Sequence, residues 1–189
     1  MDYFSGTAAQ LSTTQLAELF HYRYDVFINH LEWDVVPGFG STSDKIEKDQ
    51  YDSEDTLYVV AKEQDDIVGC ARLLPTTEPY LLQEVFPELL NGQAAPQHSD
   101  IWELSRFTSF NPALQSPNIA PNQFSNESTV ELLKATLDIA KRHGAKKLIT
   151  VSPVAVERLL RKAQFSARRV APPVRSGRFL LVSLVIDVI

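Results

Sequence analysis

Arg72 sits inside Ile67-Val68-Gly69-Cys70-Ala71-Arg72-Leu73-Leu74, a run that otherwise reads as a buried strand. A charge at a core position restricts a fold severely, because each buried ion costs several kcal/mol unless it is paired. The same conflict recurs at Arg23, which shares a helix face with Leu19 and Phe27. Two compact acid-and-base clusters add to it: Asp49-Gln50-Tyr51-Asp52 and Glu103-Leu104-Ser105-Arg106. So many ionisable residues at core-like positions point to a polar pocket built for a charged ligand.

The chain of 189 residues suits one domain spanning 1–189, with 44% hydrophobic and 22% charged residues. Cys70 is the single cysteine, which excludes an internal disulfide and fits a reducing compartment. The N-terminal stretch lacks a basic segment followed by an apolar one, so it does not read as a signal peptide. The longest apolar run, 179–189, is too short to span a bilayer and contains Asp187. A cytoplasmic protein with no membrane span is expected.

The net charge of −6 conceals a segregation. Residues 1–133 hold 6 Lys/Arg and 21 Asp/Glu, whereas residues 134–178 hold 12 Lys/Arg against Asp138 and Glu157. A basic second half suits an acidic partner. Nucleic acid is a poor candidate, because the chain is acidic overall and its basic segment lacks interleaved aromatic residues for base stacking.

Thr13 or Thr14 can cap a helix running to about residue 31, with Leu16, Leu19, Phe20, Phe27 and Leu31 on its stripe. Residues 37–52 read as a long polar loop, a candidate lid, and the N-terminal segment as mobile. Strands are expected at 56–63 and 67–74 around a turn at 64–66, then a short helix at 79–90 and a strand at 101–110. A Pro/Asn/Ser-rich connection covers 111–125. It leads to a helix at 127–143 stopped by Gly144, a strand at 147–152 and a helix opened by Pro153. Strand-like runs at 166–171 and 178–188 close the chain. This order implies an α/β fold with at least one parallel crossover.

Several chemistries are disfavoured. His21, His30, His98 and His143 lack metal-ligand spacing, so no metal site is expected. No G-x-S-x-G elbow occurs, and Gly38-Phe39-Gly40 is neither a P-loop nor a dinucleotide fingerprint. No cofactor is expected.

Read in order, the unusual residues are Arg23, Phe27, Trp33, Asp49, Asp52, Arg72, Glu103 and Arg106, in the contexts RYDVFINHLEW, DQYD, GCARLLPT and ELSRF. This set resembles the acyl-homoserine lactone synthases, the LuxI-type autoinducer synthases of bacterial quorum sensing. The resemblance covers nearly the whole chain. It implies an N-acyltransferase (GNAT)-like three-layer α-β-α sandwich, whose mixed β-sheet has splayed central strands. It also implies two substrates, S-adenosylmethionine and an acyl–acyl carrier protein. The amine attacks the acyl thioester; the methionine carboxylate then attacks its own γ-carbon and expels methylthioadenosine.

The residue types suit that chemistry. Asp49 and Asp52 can hold the ammonium and sulfonium, and Arg23 or Arg72 can fork onto the carboxylate. Phe27 and Trp33 offer aromatic faces. Glu103 is the available base for the amine. Arg106 lies three residues from Glu103, which a regular pleat sends to the opposite face, so a bulge is expected there. Arg106 is then expected to pair with a loop acid and hold the lid.

The acyl-chain pocket is expected from Trp102, Phe107, Phe110, Leu137, Val151, Ser152, Val156 and Leu160, with Ser152 supplying a hydroxyl near the acyl β-carbon. Lys146, Lys147, Arg158, Arg161, Lys162, Arg168 and Arg169 are candidates for docking the acidic carrier protein. The alternative is an N-acyltransferase that uses acyl-coenzyme A and another amine, but no Gly-rich pyrophosphate loop is evident to support it.

Overall fold

The computed structural model describes residues 1–112, 126–177 and 179–189. Most of the Pro/Asn/Ser-rich connection expected at 111–125 lies outside the described residues. The chain groups into two compact units, residues 1–71 with 106–132, and residues 72–105 with 133–189.

In the first unit, β1 (Asp2–Thr7) pairs antiparallel with β2 (Leu57–Glu63), from Asp2↔Lys62 to Thr7↔Leu57. The segment read as mobile from sequence is therefore a strand. Its polar sequence hid it, since only one of its six residues is buried. A turn with Gln64 at φ 57° leads into β3 (Asp66–Pro75), the next neighbour of β2. Residues 66–71 of β3 belong to this unit.

Helix α1 (Thr13–Arg23) packs against these strands through Leu19 and Tyr22, which share a core cluster with Tyr58, Val60, Ile67 and Cys70. Its N-cap is Ser12, not Thr13 or Thr14. Ser12 Oγ accepts from Gln15 N while the Gln15 side chain accepts from Ser12 N, which satisfies two donors that a helix start leaves open. The helix runs on directly as a π-helix over Tyr24–His30. That wider turn begins immediately after Arg23 and carries Val26 and Phe27 into the core. Residues 37–52 form a loop closed by one bridge, Ser41↔Ile46.

In the second unit, β4 (Ile101–Ser109) contributes residues 101–105 and pairs parallel with β5 (Lys147–Pro153). The pairs are Ile101↔Lys147, Trp102↔Leu148 and Glu103↔Ile149. β5 continues against β8 (Phe179–Asp187) in antiparallel register as far as Pro153↔Leu181. Among the described residues, β5 thus keeps β8 but leaves β4 after Ile149, which is the expected splay. The crossover from β4 to β5 runs through α3 (Asn126–Arg142), confirming the parallel connection.

The helix expected at 79–90 is two short pieces, α2 (Leu81–Glu84) and a 3-10 turn at Pro87–Leu90, because Pro87 restarts the chain. Helix α4 (Val154–Lys162) follows β5, with Pro153 as its N-cap. β6 (Ala167–Arg169) and β7 (Val174–Ser176) both pair antiparallel with β8, and β7 had no counterpart in the sequence reading.

Candidate functional site

The first unit gathers five charged side chains from three chain segments. Arg23 ends α1, Glu47, Asp49 and Asp52 come from the loop, and Arg106 comes from β4. Arg23 donates from Nε to Glu47 Oε2 at 2.6 Å, and from Nη1 and Nη2 to the two oxygens of Asp52 at 2.7 and 3.0 Å. Arg106 donates to Glu47 Oε1 from Nε at 3.1 Å and from Nη2 at 2.9 Å. Its Nη2 also reaches Asp49 Oδ2 at 2.8 Å. With every group ionised, two cations meet three anions, for a balance of −1.

Burial makes this pairing obligatory. Arg23 is 1% exposed, Glu47 3% and Asp49 2%. Burial alone would raise the Glu47 pKa, but Arg23 and Arg106 outweigh it and hold that carboxyl below its ordinary range. Burial would likewise lower Arg23, and Asp52 with Glu47 overcomes this, so its guanidinium titrates well above the ordinary range. Neutral neighbours complete the cluster. Tyr58 Oη donates to Asp52 Oδ1 at 2.8 Å, Asp49 N to Asp52 Oδ2 at 2.9 Å, and Tyr51 N to Asp49 Oδ1 at 2.9 Å.

Beside the ions lies an aromatic pair. Phe27 and Trp33 stack at 4.8 Å and 22°, and Trp33 is 40% exposed. The Arg106 guanidinium carbon lies 5.5 Å from the Phe27 ring and 5.3 Å from the Trp33 ring. Six of the eight residues that carried the resemblance, Arg23, Phe27, Trp33, Asp49, Asp52 and Arg106, therefore meet here. Arg106 adopts φ +50°, a left-handed conformation inside a strand. A non-glycine residue in that region costs about 1–2 kcal/mol.

Glu47 was absent from the sequence-derived set, yet it touches both arginines. It lies in the polar run Glu47-Lys48-Asp49-Gln50, which offers no apolar pattern against which a buried charge stands out.

The second unit holds Glu103 and Arg72, 1% and 0% exposed. Glu103 accepts backbone N–H groups at both oxygens, Leu81 N at 3.1 Å on Oε2 and Leu82 N at 2.7 Å on Oε1. Burial, with Glu103 adding to it, pushes the Tyr80 phenol up to about 12. Arg72 donates from Nε to Ser105 Oγ at 3.0 Å.

The proposed acyl-pocket residues divide between the units. Trp102, Leu137, Val151, Ser152, Val156 and Leu160 belong to the second. There Thr150 Oγ1 and Ser152 Oγ lie 3.3 Å apart, past the last β4–β5 pair. Phe107 and Phe110 belong to the first, where the Phe110 ring stacks on His30 at 4.4 Å and its carbonyl accepts from Tyr22 Oη at 2.7 Å.

The basic candidates also lie in the second unit, and several are already paired. Glu157 receives Arg169 bidentately at 2.8 and 2.6 Å and Arg161 at 3.4 Å. Lys146 pairs with Asp100 and Arg168 with Asp187. Arg158 and Lys162 are exposed on α4. Among the described residues no helix is long and apolar enough to cross a membrane.

The mixed sheet with flanking helices is an N-acyltransferase-like fold. A putative N-acetyltransferase from Lactobacillus plantarum shares it at 15% identity, with a TM-score of 0.60 and 100% of both chains covered. Within that class, the family profile described as autoinducer synthase matches residues 7–188. An acyl-homoserine-lactone synthase of Acinetobacter nosocomialis is 42% identical over 189 residues, 100% of each chain. TofI, solved in a ternary complex with an inhibitor and MTA, superposes with a TM-score of 0.84 at 39% identity, covering 100% of this chain and 92% of that one. MesI, described as a CoA-dependent acyl-homoserine lactone synthase, gives 0.82 at 27% identity, covering 100% and 89%. The chain belongs to the autoinducer synthase family, and its activity is the acyl transfer of an acyl-homoserine-lactone synthase.

Proposed function

We propose that the chain acylates the amine of S-adenosylmethionine from an acyl–acyl carrier protein and then closes the homoserine lactone with release of methylthioadenosine. The carrying observation is the charge cluster of the first unit, with a balance of −1 beside a stacked aromatic pair. S-adenosylmethionine brings an ammonium, a sulfonium, a carboxylate and an adenine. An acid-rich cluster favours its cationic groups, and aromatic faces suit a sulfonium or a flat base. Asp49 is assigned the cationic groups, and Phe27 and Trp33 the aromatic contact; Asp52, whose oxygens already accept from Arg23, Tyr58 Oη and Asp49 N, braces the cluster. Arg23 is committed to Asp52 and Glu47, so its task is to hold the acids.

Glu103 is assigned as the base. It takes the ammonium proton directly or through one water, and the amine attacks the thioester carbonyl. The carbon–sulfur bond to the carrier breaks and the departing thiolate is protonated. In the second step the carboxylate oxygen attacks the γ-carbon, and the sulfonium leaves with the electron pair as methylthioadenosine. This ring closure needs positioning more than acid–base help. No cofactor takes part.

Acyl-coenzyme A is the second reading for the donor, favoured by the description of MesI. The basic charge of residues 134–178 supports an acidic carrier protein instead. Equal acyl chains presented on carrier protein and on coenzyme A test this directly. A kcat/KM at least as high with coenzyme A would remove the carrier protein from the assignment.

A further inference from the structure

The Glu47 carboxylate touches both arginines of the cluster. Oε2 accepts from Arg23 Nε at 2.6 Å, and Oε1 accepts from Arg106 Nε at 3.1 Å and Nη2 at 2.9 Å. Asp52 serves Arg23, and Asp49 serves Arg106. Without the Glu47 carboxylate, Arg106 would lose both contacts that fix its Nε edge. That edge sets the tilt of the guanidinium group, whose carbon lies 5.5 and 5.3 Å from the ring centroids of Phe27 and Trp33.

Trp33 depends on this arrangement more than Phe27 does. Phe27 is 3% exposed within the core cluster, whereas Trp33 is 40% exposed and belongs to no strand or helix. Its ring is held by the Phe27 stack and by Arg106, and its backbone N–H donates to Phe27 O at 2.9 Å. Two further ties seat the segment that carries Glu47: Glu47 N donates to Phe20 O at 3.2 Å, and His21 Nε2 lies 2.9 Å from Asp44 O. The carboxylate is therefore delivered by a segment anchored on α1.

We infer that Glu47 is a positioning residue for the nucleophile substrate: it bridges Arg23 and Arg106 and holds the Arg106 guanidinium over the rings of Phe27 and Trp33, fixing the aromatic surface that receives S-adenosylmethionine. The inference rests on the substrate reading given under Proposed function. Glu47 itself touches no reacting atom and acts through Arg106 and Trp33.

The test is Glu47→Gln, which keeps the shape and removes the charge, with Glu47→Asp as the charged but shorter companion. The KM for S-adenosylmethionine should rise roughly tenfold or more, as expected for the loss of a charge-assisted hydrogen bond. The KM for the acyl donor should stay within about twofold, the size of change usual for a distant and independent site. Emission from Trp33, read in a Trp102→Phe background, should shift in Glu47→Gln and shift less in Glu47→Asp. If Glu47→Gln does not fold, the same three readouts are taken on Glu47→Asp, where a smaller rise in KM for S-adenosylmethionine and a smaller Trp33 shift are expected. Equal KM changes for both substrates with unchanged Trp33 emission, whatever the loss of stability, overturn the inference. Absence of S-adenosylmethionine turnover by the unaltered protein would instead defeat the substrate reading, so the two failures are distinguishable.

Discussion

Arg23 and Asp52 form a forked ion pair in the interior of the first unit, with two parallel N–H···O bonds of 2.7 and 3.0 Å and both side chains at 1% exposure or less. The fork ties the end of α1 to the last acid of the loop. A lysine cannot reproduce two parallel donors.

Arg23→Lys should therefore destabilise the protein by about 3–5 kcal/mol, the range for breaking a buried pair. Urea denaturation measures it. A loss well under 1 kcal/mol would mean that Asp52 finds another partner on unfolding the fork.

Glu47 sets an acid limit on stability. Its carboxyl titrates below the ordinary 4.5 in the folded state. A depressed acid stabilises the fold above its unfolded pKa and loses that contribution as pH falls through the folded value. Stability should drop on acidification below about pH 4.5, and Glu47→Gln should flatten that limb. Parallel melting curves of the two proteins from pH 6 to pH 3 read the difference, and superimposable slopes would contradict it.

Glu103→Gln should lower kcat far more than it alters binding of S-adenosylmethionine. The amide keeps one oxygen for Leu81 N or Leu82 N but turns an NH₂ toward the other donor, so a stability loss of about 1–3 kcal/mol accompanies it. Steady-state kinetics beside calorimetric titration separate the two effects. Undiminished turnover would take the base role away from Glu103.

Reversal of Arg158 and Arg161 to Glu should raise the KM for acyl carrier protein and leave a coenzyme A thioester unaffected. Arg161 is 76% exposed on its side chain and 3.4 Å from Glu157, so part of its charge is already answered. Exposed charges act mainly on encounter, and the effect should shrink with added salt. Equal changes for both donors would refute a docking face on α4.

The sequence exposed the architecture where one face of an element had to be apolar. The strands at 57–63, 66–75 and 147–153 and the helices at 126–142 and 154–162 were legible for that reason. β1 was not, because an edge strand with one buried residue need not look like a strand. The π-helix after Arg23 left no mark, since its apolar residues read equally well as α-helix. In the site, buried charges drew notice wherever an apolar pattern surrounded them, as at Arg23 and Arg72. Glu47 escaped because its loop offered no such pattern. The position of Arg106 depended on a left-handed backbone at a non-glycine residue, which sequence periodicity predicts only as an inconsistency.

The most direct measurement supplies the purified chain with S-adenosylmethionine labelled at its amine nitrogen and an acyl–acyl carrier protein, and quantifies both products by mass spectrometry. The account predicts labelled acyl-homoserine lactone and methylthioadenosine in equal amounts. Lactone without the label, or acyl transfer without methylthioadenosine, would contradict it.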